Sequence, residues 1–193
     1  MGAEYERKYR ADEACQRDIL QDHPGHWARI HMQTTYYDTP SGSLSARGYM
    51  LRRRQENGVS VCTLKTAGHG YERGEWEVKG EHIIDAVAEL CKLGGPAALA
   101  ELCREGLVPI CGAEFIRQAR LLELPAFTAE LALDQGSLFS GKKAIPLWEL
   151  ELELKSGSKA ALDAFAEAFA ANYGLQGEEK SKFARALCLY KEV

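Results

Sequence analysis

The sequence predicts an α+β fold in which an eight-stranded antiparallel β-barrel with a charged lumen is surrounded by helices. Three observations lead there. The pattern E-x-E-x-K occurs three times, at residues 4–8, 75–79 and 151–155. The dipeptide Asn57-Gly58 separates two β-prone runs that carry Arg52, Arg54 and Lys65. Charged-against-apolar alternation recurs on further strand-like segments, with helical stretches between them to cover an apolar face.

A strand sends residues i, i+2 and i+4 to one side. Each E-x-E-x-K copy therefore aligns two carboxylates with an ammonium, while Tyr5, Trp76, Val78, Leu152 and Leu154 face the other way. If the three strands share a sheet, six carboxylates meet on one surface. Like charges about 4 Å apart repel by roughly 4 kcal/mol at an effective dielectric near 20. Such a surface calls for a compensating cation, and oxygen-rich sites are usually filled by a divalent metal.

Asn-Gly between β-prone runs signals a two-residue type I′ hairpin. That turn pairs Glu56 with Val59, Arg54 with Val61, Arg52 with Thr63 and Met50 with Lys65. Arg52, Arg54 and Lys65 then share one face, and Leu51 and Leu64 share the other. Arginine holds phosphate oxygens bidentately. Carboxylates that need a metal and cations that need a polyanion are both satisfied by a metal-bound polyphosphate.

Taken in order, strands are expected near 3–9, 30–37, 48–56, 59–66, 72–79, 114–123, 127–134 and 146–155. Helices are expected near 11–21, 82–93, 97–104, 159–173 and 178–190. The fourth of these has the clearest apolar stripe, Leu162, Phe165, Ala166 and Phe169. Gly94-Gly95-Pro96 stops the second. Closing about eight strands leaves an interior wide enough for one small ligand.

The 193 residues read as a single domain, with 46% hydrophobic and 27% charged content. A net charge of −4 offers no general attraction to nucleic acid or acidic membranes, so neither is expected as a partner. Six cysteines without a C-x-x-C pair, no signal peptide and no apolar run near ~18 residues point to a reducing cytoplasm. The five histidines have no metal spacing.

Glu4-x-Glu6-x-Lys8, Tyr36-Tyr37-Asp38-Thr39-Pro40, Leu51-Arg52-Arg53-Arg54, Thr63-Leu64-Lys65, Arg73-x-Glu75-x-Glu77 and Ser181-Lys182 together resemble the CYTH superfamily of triphosphate tunnel metalloenzymes. The match runs through nearly the whole chain. The stretches 130–136 and 149–157 resemble the bacterial inorganic triphosphatase branch, whose members often carry a histidine-rich CHAD domain that is not expected within these 193 residues.

The resemblance implies Mg²⁺ or Mn²⁺ held by Glu4, Glu6, Asp134, Glu151 and Glu153, with Glu75 and Glu77 as possible further ligands. It implies that Arg52, Arg54, Lys65, Arg73, Arg117 and Lys182 grip phosphate, and that Lys8, Arg52, Arg54 and Lys65 act in catalysis. Lys8 could equally pair structurally with the glutamates. Arg117 is favoured over Arg120 as the inward residue, and Glu149 is expected at the mouth. Lys79 and Lys155 are expected at the surface.

The implied activity is two-metal hydrolysis of tripolyphosphate to pyrophosphate and phosphate. A class IV-type adenylate cyclase, a nucleoside or thiamine triphosphatase, and a non-catalytic polyphosphate or nucleotide sensor stay open as alternatives.

Overall fold

The computed structural model describes residues 2–66 and 72–191, with side chains described for 5–66 and 74–190. Eight strands form the wall: β1 (Gly2–Arg10), β2 (Ala28–Asp38), β3 (Tyr49–Glu56), β4 (Val59–Thr66), β5 (Glu72–Lys79), β6 (Val108–Leu124), β7 (Phe127–Ser140) and β8 (Lys143–Gly157). Their order is β5-β4-β3-β2-β6-β7-β8-β1, and β1 pairs back onto β5, so the sheet returns on itself as a tunnel. All these pairings are antiparallel. β1 is shared along its length. Residues 2–5 pair with β5, and residues 6–10 pair with β8. A two-residue strand, β9 (Gln176–Gly177), adds to the end of β1.

The hairpin has the register the Asn-Gly turn predicts: Arg54 lies opposite Val61, Arg52 opposite Thr63 and Met50 opposite Lys65. Asn57 and Gly58 both take positive φ, 49° and 87°, as the turn requires.

The helices are α1 (Glu13–Asp22), α2 (Ser43–Ala46), α3 (Ile83–Lys92), α4 (Ala98–Leu102), α5 (Lys159–Tyr173) and α6 (Lys182–Lys191). α5 begins where the Ser158 side chain accepts from the Ala161 N–H, and it stops at Gly174 in the left-handed region. Its Leu162, Ala166 and Phe169 join Ile19 of α1 over the outward residues of the sheet, among them Leu131, Leu133, Leu150 and Leu152. Burying each such leucine contributes about 1.5–3 kcal/mol. α3 and α4 cover Leu51, Leu64 and Trp76 in a second cluster. α6 does something different. Its Phe183, Ala186 and Leu187 pack with Tyr36, Phe115, Leu138 and Leu147 in a third cluster.

Three expectations need revision. β6, β7 and β8 are longer than predicted, because their alternation fades where apolar residues and α6 replace the charged lumen. The last helix begins at Lys182, since residues 176–177 extend the sheet and the Glu178 N–H donates to the Lys8 carbonyl. The short α2 has no expected counterpart; Asp38 holds its start by accepting from the Leu44 and Ser45 N–H groups.

Candidate active site

The tunnel encloses a cavity of about 300 Å³. Glu6 and Lys8 reach it from β1, Arg52 and Arg54 from β3, and Lys65 from β4. Glu75 and Glu77 come from β5, Arg117 from β6, Glu151 and Glu153 from β8, and Lys182 from α6. Period-2 alternation accounts for every strand residue in this group. The side chains of Glu4 and Arg73 lie outside the described residues, although their backbones are partners across β1 and β5.

Arg117 is indeed the inward arginine of its strand. Arg120 turns out, with its guanidinium 5.4 Å from the Trp27 ring centroid and an N–H donated to the His23 carbonyl at 3.0 Å. Arg53 also turns out and donates to the Glu81 carbonyl. One expectation fails. Glu149 is not at the mouth but fully buried at the inner end, because β8 continues past it and α6 covers it. Lys155 is exposed, as expected, and also borders the cavity mouth, pairing with Glu153 at 2.8 Å.

The charged side chains fall into two zones. Along the cationic wall, Arg52 and Lys65 stand 3.7 and 3.4 Å from Glu75, and Arg54 stands 3.6 Å from Glu77. These separations exceed the 2.7–2.9 Å of a charge-assisted hydrogen bond. Arg54 also contacts Glu56. Its Nε is buried with no hydrogen-bond partner among the described residues. Burial, with the neighbouring Arg52 charge, lowers the Arg54 pKa from its ordinary value. An anion placed here would relieve the strain on both counts.

The inner zone is tight. Asp134 accepts two hydrogen bonds from Arg117 at 2.8 Å, and Lys182 reaches it at 2.8 Å. Lys182 also bonds Glu149, and reaches Glu151 at 2.7 Å. Arg117 bonds Glu151, and Arg185 bonds Glu149 at 2.7 Å. Burial alone would raise the Glu151 carboxyl, but Lys182 and Arg117 hold it well below the usual range. Burial dominates at Glu149, which is pushed up to about 7. Burial would likewise lower Lys182 and Arg117, but the carboxylates around them raise both well above their ordinary values.

A row of acids crosses three strands near the other end. Glu6 faces Glu153 across β1 and β8, and Glu153 faces Glu130 across β8 and β7. Glu130 lines the cavity, 3.7 Å from Arg117, and it escaped sequence reasoning although it lies four residues before Asp134 on the same strand face. Arg185, three residues after Lys182 on α6, was overlooked as a site neighbour for the same reason. No cysteine or histidine among the described residues lines the cavity. The donors present are carboxylate oxygens, which suit Mg²⁺ or Mn²⁺.

Beside α6 a second space of about 730 Å³ shares Met50, Lys65, Ser181 and Phe183 with the tunnel. Tyr49, Leu187 and Tyr190 contribute to its remaining wall.

The CYTH domain model matches residues 2–187. The chain belongs to the CYTH domain family. This CYTH chain is 32% identical over 142 residues to an inorganic triphosphatase from Haemophilus influenzae, which covers 72% of the chain and 40% of that protein. It therefore spans about two-fifths of the length of that curated relative. Among solved structures it resembles a Hippeastrum protein, a candidate adenylyl cyclase described as having a dominant triphosphatase activity. The TM-score is 0.65 at 21% identity, over 95% of this chain and 94% of the other. A Pyrococcus horikoshii protein gives a TM-score of 0.64 at 19% identity, over 95% and 98%. At these identities the likeness concerns the fold. No helix among the described residues is long and apolar enough to cross a membrane.

Proposed function

We propose that this CYTH domain hydrolyses inorganic tripolyphosphate to pyrophosphate and phosphate with the help of Mg²⁺ or Mn²⁺. The observation that carries the reading is the cationic wall. Arg52, Arg54 and Lys65 are crowded on adjacent strands around one cavity, and the buried Arg54 Nε–H has no acceptor among the described residues. A linear polyanion supplies acceptors to all three. The Haemophilus influenzae relative, an inorganic triphosphatase, supports the same activity.

Phosphoryl transfer asks a protein mainly for positioning and charge neutralisation. Arg52, Arg54 and Lys65 bind the phosphate oxygens and stabilise charge on the transferring group. Lys8, held 3.4 Å from Glu6, lines the same cavity, where its ammonium can help offset that charge. Glu6 and Glu153, with Glu4 on the same strand as Glu6, would hold the metal, and when bound it would supply charge neutralisation and a more acidic water. Water adds to the terminal phosphorus as the P–O bond to the pyrophosphate leaving group breaks. With no cysteine or histidine lining the cavity among the described residues, direct attack by water is favoured over a covalent intermediate at either side chain.

A second reading draws on the space beside α6. A triphosphate with its phosphates in the tunnel could lodge an attached aromatic group against Tyr49, Phe183 and Tyr190, which favours a nucleoside or thiamine triphosphate. The test is a product assay on tripolyphosphate, ATP and thiamine triphosphate, with Mg²⁺, with Mn²⁺ and with EDTA. Phosphate release from tripolyphosphate above the other two, abolished by EDTA, is expected. Cyclic AMP from ATP would replace the reading with a cyclase. Binding without turnover under either metal would make the protein a sensor.

A further inference from the structure

Asp134, Glu149 and Glu151 bring one carboxylate oxygen each within 4.8 Å of one another, the arrangement of a metal site. Their oxygens are already taken. The two oxygens of Asp134 accept from Arg117 Nε and Nη2, the second also meeting Lys182. Those of Glu149 accept from Lys182 and Arg185. Those of Glu151 accept from Lys182 and Arg117. Three carboxylates thus meet three cations, and every oxygen has a cationic donor. Asp134 and Glu149 are also fully buried, so solvent offers no path to them.

A divalent ion needs a shell of six or more oxygens. Here it would have to expel Arg117 and Lys182 from a buried network and leave their charges unpaired, which is strongly unfavourable. Two of the three cations, Lys182 and Arg185, come from the first turn of α6, one above the other at i and i+3. The same turn places Phe183 on Tyr36, ring centroids 5.0 Å apart.

We infer that Asp134, Glu149 and Glu151 do not hold the divalent metal but dock α6 at the inner end of the tunnel, with Lys182 and Arg185 as the docking cations. Asp134 and Arg185 are then positioning residues, acting through Lys182 and α6. The metal falls to the row that includes Glu6 and Glu153. This assignment of ligands rests on the metal-dependent reading above; the docking of α6 does not.

The experiment combines Mn²⁺ titration, without substrate, and amide hydrogen exchange on the parent, Asp134→Asn, Arg185→Met and Glu153→Gln. Asp134→Asn and Arg185→Met should bind as many Mn²⁺ ions as the parent, with affinity within about threefold. Their α6 amides should exchange about tenfold faster, because helix docking sets local opening. Glu153→Gln should weaken Mn²⁺ binding by about tenfold or more and leave α6 protected. Loss of Mn²⁺ by Asp134→Asn with α6 exchange unchanged would overturn the inference. So would unchanged α6 exchange in Arg185→Met, a variant that retains all three carboxylates should Asp134→Asn fail to fold. A parent that binds no Mn²⁺ would sink the metal reading instead, and α6 exchange would still decide the docking.

Discussion

Arg53 and Arg54 are neighbours in sequence with opposite fates. Arg54 enters the tunnel with a buried N–H that has no acceptor among the described residues, while Arg53 donates to the Glu81 carbonyl outside. Arg54→Ala should lower kcat/KM for tripolyphosphate by about a hundredfold, the usual cost of one preorganised donor. Arg53→Ala should stay within about threefold, since surface changes have small effects. Equal losses in steady-state assays would mean that the register is slipped by one. The register itself was open to prediction because Asn57-Gly58 pins the pairing residue by residue. Glu130 and Arg185 were equally legible by periodicity, yet neither was named as a site residue, although the stretch 130–136 was singled out. The saturation of Asp134, Glu149 and Glu151 was not legible at all. It depends on where α6 inserts, a tertiary fact that no local pattern encodes.

At the scale of elements, the hairpin and the helix over residues 159–173 follow directly from turn chemistry and helical periodicity. The long strands β6, β7 and β8 were underestimated at the ends that lie under α6. There the interior turns apolar, with Leu138 and Leu147 under α6, and Pro146 interrupts the pattern. One glycine makes this region possible. A Cβ at Gly136 would lie 2.1 Å from the Glu114 carbonyl oxygen and 2.5 Å from the Phe115 Cα. Backbone cannot yield as a flexible side chain can. Gly136→Ala should therefore cost about 3 kcal/mol or more, a fall in Tm of roughly 10 °C for a chain of this size. It should also disturb Phe115, whose ring lies 5.4 Å from the Lys182 ammonium. A parent-like thermal melt would contradict the close packing of β6 on β7.

For the whole molecule, buried carboxylates give stability opposing dependences on pH. Glu149 is raised to about 7 by burial, so its contribution is full below its unfolded value and lost as pH rises through about 7. Glu151 and Glu178 are lowered, so theirs are full above the unfolded value of about 4.3 and lost as pH falls below it. Metal-free Tm should peak near the unfolded carboxylate value, at about pH 4–5, then drop by roughly 5 °C or more toward pH 7 and level off above it. Glu149→Gln should flatten the alkaline limb and keep the acid one. A melting series in which that limb is unchanged would assign it elsewhere.

The double pairing of β1 also sets a timetable for synthesis. This strand borders β5 along one stretch and β8 along the next, and β8 ends at Gly157. Glu6 must therefore wait, unpaired on its β8 side, until nearly 150 further residues have left the ribosome. Contacts so distant in sequence close slowly. Until then the chain has neither a ring nor an enclosed lumen, and the exposed edges of β5 and β8 are open to wrong partners. Assembly of the binding cavity and completion of the barrel are thus one late event.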